Sequence, residues 1–213
     1  MSKPALKICG VTTPAALDAA IAARAEHVGF NFSPPSPRLL SAADAAQLGP
    51  RAAGRIGKVG VFVDADDAAI AEAIAAAGLD ALQLHGSETP ARAAQIGMQF
   101  GLPVWKALAV ASREDVARAD VYAGAADLVL FDAKTPKGAA LTGGMGLSFD
   151  WSLVAGWKGP IAWGLAGGLT PDNVAEAARL TGAPLVDTSS GVESAPGIKD
   201  VDKIAAFCKA AHL

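Results

Sequence analysis

Short runs rich in Val, Ile, Leu, Phe and Trp alternate along the chain with longer Ala-rich stretches of helical period. The short runs predict strands at 6–11, 27–32, 58–63, 81–85, 104–110, 128–132, 161–166 and 185–188. The longer stretches predict helices at 14–25, 42–48, 66–77, 90–100, 114–121, 150–157, 171–180 and 201–211. Ala and Leu favour helix, whereas β-branched and aromatic side chains favour the pleated, half-buried surface of a strand. Strands alternating with helices throughout define an α/β protein with a parallel sheet covered by helices. Eight strand–helix units in 213 residues close most economically as a (β/α)8 TIM barrel. A doubly wound open sheet is the competing architecture, but no Gly-x-Gly-x-x-Gly follows the first strand. No Ser-, Pro- or charge-rich linker divides the chain, so residues 1–213 read as one barrel domain.

Composition narrows the function classes. Apolar residues at 52 % and charged residues at 18 % describe a chain that buries a core rather than a disordered one. A net charge of −3 leaves no basic footprint for nucleic acid. The apolar runs are of strand length, short of the roughly 18 residues of a membrane span, and no signal-peptide core follows the first residues. With only Cys9 and Cys208 there is no disulfide framework, and the expected setting is the reducing cytoplasm. His27, His85 and His212 are too widely spaced for a His-rich metal site, so no metal is expected. Alanine-rich helix faces serve monomers and homodimers alike, and both stay open.

Two glycine turns carry the most specific signal. In the first, the apolar run 161–166 enters Gly167-Gly168, which have no Cβ to block an approaching ligand. Thr170 then reads as an N-cap and Pro171 as the first helical residue, which would bare backbone N–H groups at a helix N-terminus. One strand later, Ser189-Ser190-Gly191 offers hydroxyls and further N–H groups. In barrels the loops after strands seven and eight are the usual phosphate site, so Gly167, Gly168, Ser189, Ser190 and Gly191 are the candidate phosphate residues of a phosphorylated small-molecule substrate. Asp187 would repel a phosphate and is expected on sugar hydroxyls instead. Two long connections, 33–41 and 134–149, also leave the C-terminal ends of strands; the second is glycine-rich and is a candidate lid.

Side chains able to move protons stand on strands one and six. Lys7 and Cys9 share a strand face, and inside a barrel the ammonium would favour the thiolate. The alternative for Cys9 is a small buried hydrophobe. Asp132 ends the apolar run 128–131, where a carboxylate is paired, hydrated or functional; apolar walls would raise its pKa and suit a general acid. Arg38 follows three prolines in a stiffened loop and is either a carboxylate clamp or a solvated surface residue. His85 ends strand four as a structural histidine or a ligand contact. Cys208, beside Phe207 in the last helix, reads as packing.

Lys7-Ile8-Cys9-Gly10, Ser36-Pro37-Arg38, Gly60-Val61-Phe62-Val63, Gln83-Leu84-His85-Gly86, Phe149-Asp150-Trp151, Leu165-Ala166-Gly167-Gly168-Leu169 and Ser189-Ser190-Gly191-Val192-Glu193 follow one another along nearly the whole chain. Together they resemble the phosphoribosylanthranilate isomerases of tryptophan biosynthesis. The resemblance implies a (β/α)8 barrel, no cofactor, and an Amadori rearrangement of N-(5-phosphoribosyl)anthranilate to the carboxyphenylamino-deoxyribulose phosphate. It places the general base on Cys9, the general acid on Asp132 and the anthranilate carboxylate on Arg38. Lys7, His85 and Asp187 stand beside these as further candidate substrate-binding residues. This chain has Met145 after Gly143-Gly144, where that family has Thr or Ser, and Thr188 where a small or branched apolar residue is common; the second change is expected to be neutral. An imidazole-forming ribonucleotide isomerase would be expected to carry an aspartate at the position of Cys9. A phosphate-ligand-binding subunit without catalysis would have no need of both Cys9 and Asp132.

Overall fold

In a computed structural model, which describes residues 3–134 and 146–213, eight parallel strands close into a barrel in sequence order. They are β1 (Ala5–Cys9), β2 (His27–Asn31), β3 (Gly57–Phe62), β4 (Ala81–Leu84), β5 (Val104–Val110), β6 (Leu128–Ala133), β7 (Ala162–Leu165) and β8 (Leu185–Thr188). The outer layer comprises α1 (Pro14–Ala22), α2 (Ala42–Ala52), α3 (Asp67–Ala77), α4 (Pro90–Phe100), α5 (Arg113–Ala117), α6 (Val174–Thr181) and α7 (Val201–Ala211). Side-chain alternation along each strand sorts the apolar residues into two cores. Leu6, Ile8, Val28, Phe30 and Phe131 pack outward against the helices, while Val59, Ala81, Trp105, Ala107, Leu130 and Leu185 fill the barrel itself.

Helix starts are set by short polar side chains. Thr13, Ser41, Asp66, Thr89 and Asp200 each accept a backbone N–H from the first turn that follows, each such cap contributing about 1 kcal/mol. Two expected helices differ from their prediction. Over 150–157 the chain forms only a 3-10 turn, Trp151–Leu153, and left-handed Gly156 cuts it off. Trp157 covers the sheet there in a helix's place, edge-on to Phe131 and Trp163 at ring separations of 5.3 and 6.0 Å. The helix expected from Pro171 starts at Val174. Asn173 delays it: its Oδ1 accepts from the Thr170 N–H at 2.8 Å and its Nδ2 donates to the Gly168 carbonyl at 3.0 Å. Thr170 is therefore not the N-cap; its hydroxyl accepts from Asp172 N within a tight turn.

A two-stranded hairpin, β9 (Glu193–Ala195) with β10 (Ile198–Lys199), follows β8 before the last helix. It lies against the proline loop, since a Cβ on Gly197 would run into the backbone of Pro37.

Candidate active site

The mouth of the barrel at the C-terminal ends of the strands holds a cavity of about 230 Å3. Cys9, Arg38, His85, Asp132, Gly168 and Ser190 all line it. Gly167, Asp187, Ser189 and Gly191 line it too, so the candidate residues from six different connections converge on one space. Lys7 lies below it, fully buried.

Strand alternation brings Lys7 and Cys9 inward together, and Gly29 on the neighbouring strand makes room for both. A Cβ there would stand 2.8 Å from Cys9 Sγ and 3.2 Å from Lys7 Nζ. Lys7 Nζ donates to both carboxylate oxygens of Asp187 at 3.0 Å, joining the first strand to the last. Burial opposes the ammonium, but Asp187 and then Cys9 outweigh it and hold Lys7 above its ordinary pKa. Asp187 is thus held in an ion pair at the floor of the cavity that it lines.

Cys9 departs from the expected thiolate. Burial is the largest influence and pushes the thiol up; Lys7 and Lys199 pull it down, while Asp187 behind Lys7 pushes it up again. The net direction is upward, so the thiol is neutral near pH 7 despite its cationic neighbour. One lysine is not enough when its own counter-ion stands just behind it.

Asp132, next to last in β6, turns its side chain to the cavity. Its Oδ1 accepts the N–H of Ala133 at 2.8 Å, and its Oδ2 lies 3.2 Å from His85 Nε2. A Cβ on left-handed Gly167 would come within 3.0 Å of Asp132 Oδ1, so only glycine lets that turn pass beside the carboxylate. His85 in turn meets Gln83 Nε2 through its Nδ1 at 3.0 Å. The backbone around His85 is fixed from outside the barrel by buried Lys106, which donates to Leu84 O, Gly86 O and Glu88 Oε2 at 3.1, 2.7 and 3.0 Å.

Arg38 is not a solvated surface residue. It is 5 % exposed, and its Nε and Nη2 donate to the two oxygens of Glu193 at 2.7 and 2.8 Å. Lys199 completes the cluster by donating to Glu193 Oε1 at 2.6 Å and to Ser189 O at 2.9 Å. Glu193 is held below the usual carboxylate range, because Arg38 and Lys199 together outweigh its burial. Ser189 Oγ donates to the Cys9 carbonyl at 3.1 Å, tying this cluster to the end of β1.

The two glycine turns lie backbone against backbone. A Cβ on Gly191 would collide with the Leu169 carbonyl, which accepts the Thr188 hydroxyl at 2.7 Å. Thr188 therefore clamps one turn to the other. Gly167 and Gly168 both have positive φ, +84° and +66°. Among the described residues, the backbone N–H groups of Gly168, Ser190 and Gly191 donate to no protein acceptor. Three N–H groups at the cavity rim form a nest suited to an anion without help from the start of α6, which lies beyond Asn173. Gly146 and Leu147 line the same cavity, whereas the rest of the expected lid, including Gly143, Gly144 and Met145, lies outside the described residues.

Sequence reading missed Gln83, Glu193 and Lys199. Gln83 was findable, since it stands two residues before His85 and so shares its inward face. Glu193 and Lys199 meet Arg38 and Ser189 only through the hairpin, and no local pattern announces that.

Known proteins give the same picture. Residues 6–210 match the family model of N-(5'phosphoribosyl)anthranilate (PRA) isomerase. The chain is 55 % identical over 207 residues to the N-(5'-phosphoribosyl)anthranilate isomerase of Paramagnetospirillum magneticum, covering 97 % of this chain and 96 % of that one. It resembles the phosphoribosyl anthranilate isomerase structure from Thermotoga maritima with a TM-score of 0.87 and 35 % identity, over 98 % of each chain. A further relative, solved in complex with reduced 1-(o-carboxyphenylamino)-1-deoxyribulose 5-phosphate, superposes with a TM-score of 0.85 at 33 % identity, again over 98 % of each chain. With a closed barrel, a convergent mouth and relatives matched over almost their full length, the chain belongs to the N-(5'-phosphoribosyl)anthranilate isomerase family.

Proposed function

We propose that this chain isomerises N-(5-phosphoribosyl)anthranilate within one barrel domain, using Asp132 as general acid and Cys9 as general base. The observation that carries the reading is the convergence on one cavity of a thiol, a carboxyl and a nest of N–H groups that are unpaired among the described residues. The phosphate sits on Gly167, Gly168, Ser190 and Gly191, with Ser189 shaping the turn beneath. Arg38, steadied by Glu193, meets the anthranilate carboxylate at the other end. Binding at both ends fixes the reacting carbons between acid and base.

Asp132 gives its proton to the furanose ring oxygen. The C1–O bond breaks as the aryl nitrogen's lone pair forms C1=N, leaving a cationic iminium. The carboxylate left behind is stabilised by the Ala133 N–H and by His85. The iminium acidifies the C2 hydrogen, and its positive charge favours ionisation of the adjacent thiol, whose proton leaves to solvent through the cavity mouth. Cys9 as thiolate then removes that hydrogen, and the resulting enol-amine tautomerises to the ketone. Lys7 and Asp187, joined beneath Cys9, act as a charged floor that orients the thiol. No step needs a cofactor or a metal.

Among the described residues no helix is long and apolar enough to cross a membrane. The cytoplasm is the compartment proposed, and neither nucleic acid nor membrane is a proposed partner. A Thermotoga maritima relative is dimeric, and a homodimer is proposed for this chain, to be read by analytical ultracentrifugation. The test of function is loss of substrate fluorescence when purified protein meets freshly made phosphoribosylanthranilate. Cys9→Ser and Asp132→Asn should each lower turnover on the order of 10²–10⁴-fold while the fold persists. Full activity in either variant removes that residue from the mechanism.

A further inference from the structure

Cys9 has two ammonium groups in its neighbourhood, and they are balanced differently. Lys7, on the same strand, donates to both oxygens of Asp187 at 3.0 Å, so that pair carries no net charge beneath the thiol. Lys199, on β10, donates to Glu193 Oε1 at 2.6 Å, but the same carboxylate also holds the Arg38 guanidinium through both of its oxygens. One carboxylate cannot neutralise two cations. Among the described residues the cluster of Arg38, Glu193 and Lys199 therefore keeps one positive charge in excess.

The cluster is buried and tied to the base. The side chains of Lys199 and Glu193 are 1 and 4 % exposed, so salt and water screen neither charge well. Lys199 Nζ also donates to Ser189 O and Oγ at 2.9 and 3.3 Å, and Ser189 Oγ donates onward to the Cys9 carbonyl at 3.1 Å. From the other side the Arg38 stem lies over Gly10, the residue after Cys9, where an added Cβ would stand 2.5 Å from Arg38 Cδ. The excess charge is thus anchored at the end of β1 from two directions. Lys199 does not touch the substrate space: its three hydrogens go to Glu193 and to the two oxygens of Ser189, and it does not line the cavity.

We propose that Lys199 is a positioning residue for the general base: buried on the hairpin and sharing its carboxylate with Arg38, it holds a net positive charge against the end of β1 that supports the thiolate Cys9 must become. The resting thiol stays neutral, because burial outweighs the cations around it. The cluster lowers what remains to be supplied when the iminium forms beside the thiol, and the thiol's proton still leaves to solvent. Asp187 opposes Lys7 at the same sulfur, while Lys199 acts in the favourable direction.

The other charges that face Cys9 stay the same in every arm of the test. Asp132 on β6 and His85 after β4 stand across the cavity, and His27 on β2 pairs with Lys7 two residues further in. Lys203 and Asp200, at the start of α7, lie behind the hairpin, where Lys203 donates to the Glu193 carbonyl at 2.8 Å.

The inference rests on Cys9 as base, and its test reads the thiol directly. The parent and the Lys199→Met, Lys199→Gln and Lys199→Arg variants are alkylated with iodoacetamide across a range of pH, and mass spectrometry follows Cys9 apart from Cys208. Met removes both the charge and the hydrogen bonds, Gln keeps an N–H for Ser189 without the charge, and Arg keeps the charge. The midpoint of Cys9 alkylation should rise by roughly one pH unit in both neutral variants and stay near the parent value in Lys199→Arg. The acid limb of kcat against pH should move the same way, with KM little changed. Should Lys199→Met fail to fold, Lys199→Gln carries the same reading, and thermal unfolding shows which variants are native. Equal midpoints in the parent and Lys199→Gln overturn the proposal, as does a Lys199→Arg protein that behaves like Lys199→Met. A rise in KM alone overturns it too, since Lys199 would then serve substrate binding. Full turnover in Cys9→Ser removes the base and this inference with it, whereas an inactive Cys9→Ser with unshifted midpoints keeps the base and sinks only the role of Lys199.

Discussion

Replacing Lys7 by Met leaves the Asp187 carboxylate with no cation inside the barrel. Asp187 is 6 % exposed and both its oxygens accept from Lys7, so the little solvent that reaches it from the cavity does not replace a charged partner. Breaking a buried pair on one side costs about 3–5 kcal/mol, a large part of the 5–15 kcal/mol that holds a typical domain together. For a chain of this size a urea slope of roughly 2–3 kcal/mol/M turns that into a midpoint lowered by about 1–2 M. The second half of the cycle is Lys7→Met with Asp187→Leu. Two apolar side chains of similar volume remove the unpaired charge, and the double variant should recover most of the loss. The linkage has a sign as well. An unpaired buried Asp187 prefers to be neutral, so its pKa in the folded variant lies above that of the unfolded chain. That raised pKa gives stability below the unfolded value and loses it as pH rises through the folded one. The deficit of Lys7→Met against the parent should therefore be smaller at about pH 5 than at about pH 8. Urea unfolding followed by circular dichroism measures all of these. A single variant that loses less than about 1 kcal/mol, or a double variant that loses the sum of the two singles, refutes the reasoning.

Gly29→Ala should cost turnover on the order of 100-fold with an unchanged far-ultraviolet spectrum, because a Cβ 2.8 Å from Cys9 Sγ must push the thiol from its place; unchanged kcat/KM would contradict the packing. Iodoacetamide should alkylate Cys9 at a rate still rising above the free-thiol pKa of about 8.5, since burial holds this thiol higher. Mass spectrometry should find Cys208 untouched, as it is 2 % exposed and pushed up to about 11; a plateau in the Cys9 rate below about pH 8 would count against the neutral thiol. His27 sits edge-on to Trp105 with ring centroids 5.1 Å apart, and burial followed by Lys7 holds its pKa down. The unfolded chain therefore binds that proton more readily, and stability present above about pH 6.5 is lost as pH falls below it. His27→Gln should flatten that part of the pH–stability curve; an identical slope in parent and variant would show that His27 is not its source.

The barrel was legible because its signal is local and repeated. Each strand announces itself by apolar runs, and alternation along β1 alone says that Lys7 and Cys9 point the same way. The glycine turns were legible for the same reason, since Gly167, Gly168 and Gly191 each stand where a Cβ would strike neighbouring backbone. What escaped depends on partners distant in the chain. Arg38 finds Glu193 across 155 residues, and nothing in the proline loop foretells it. The helix expected from Pro171 yields to Asn173, whose side chain satisfies Thr170 and Gly168 in the turn before it. The helix expected over 150–157 yields to tryptophan packing and to Gly156. Cys9 shows the same limit in its charge: the sequence displays the neighbouring lysine, but not the depth of burial or the carboxylate behind it.

The hydrogen-bonded ties between Lys7 and Asp187, and between Ser189 and Cys9, each span 180 residues. Synthesis proceeds from the N-terminus, so β1 emerges long before the strand that closes the ring against it. Until residues 185–188 leave the ribosome, the nascent protein has seven strands, two raw edges and an ammonium facing an unfinished interior. A chain stopped short of Leu185 thus has neither its anion nest nor the counter-ion for Lys7, and premature products of translation should be both inactive and prone to aggregate.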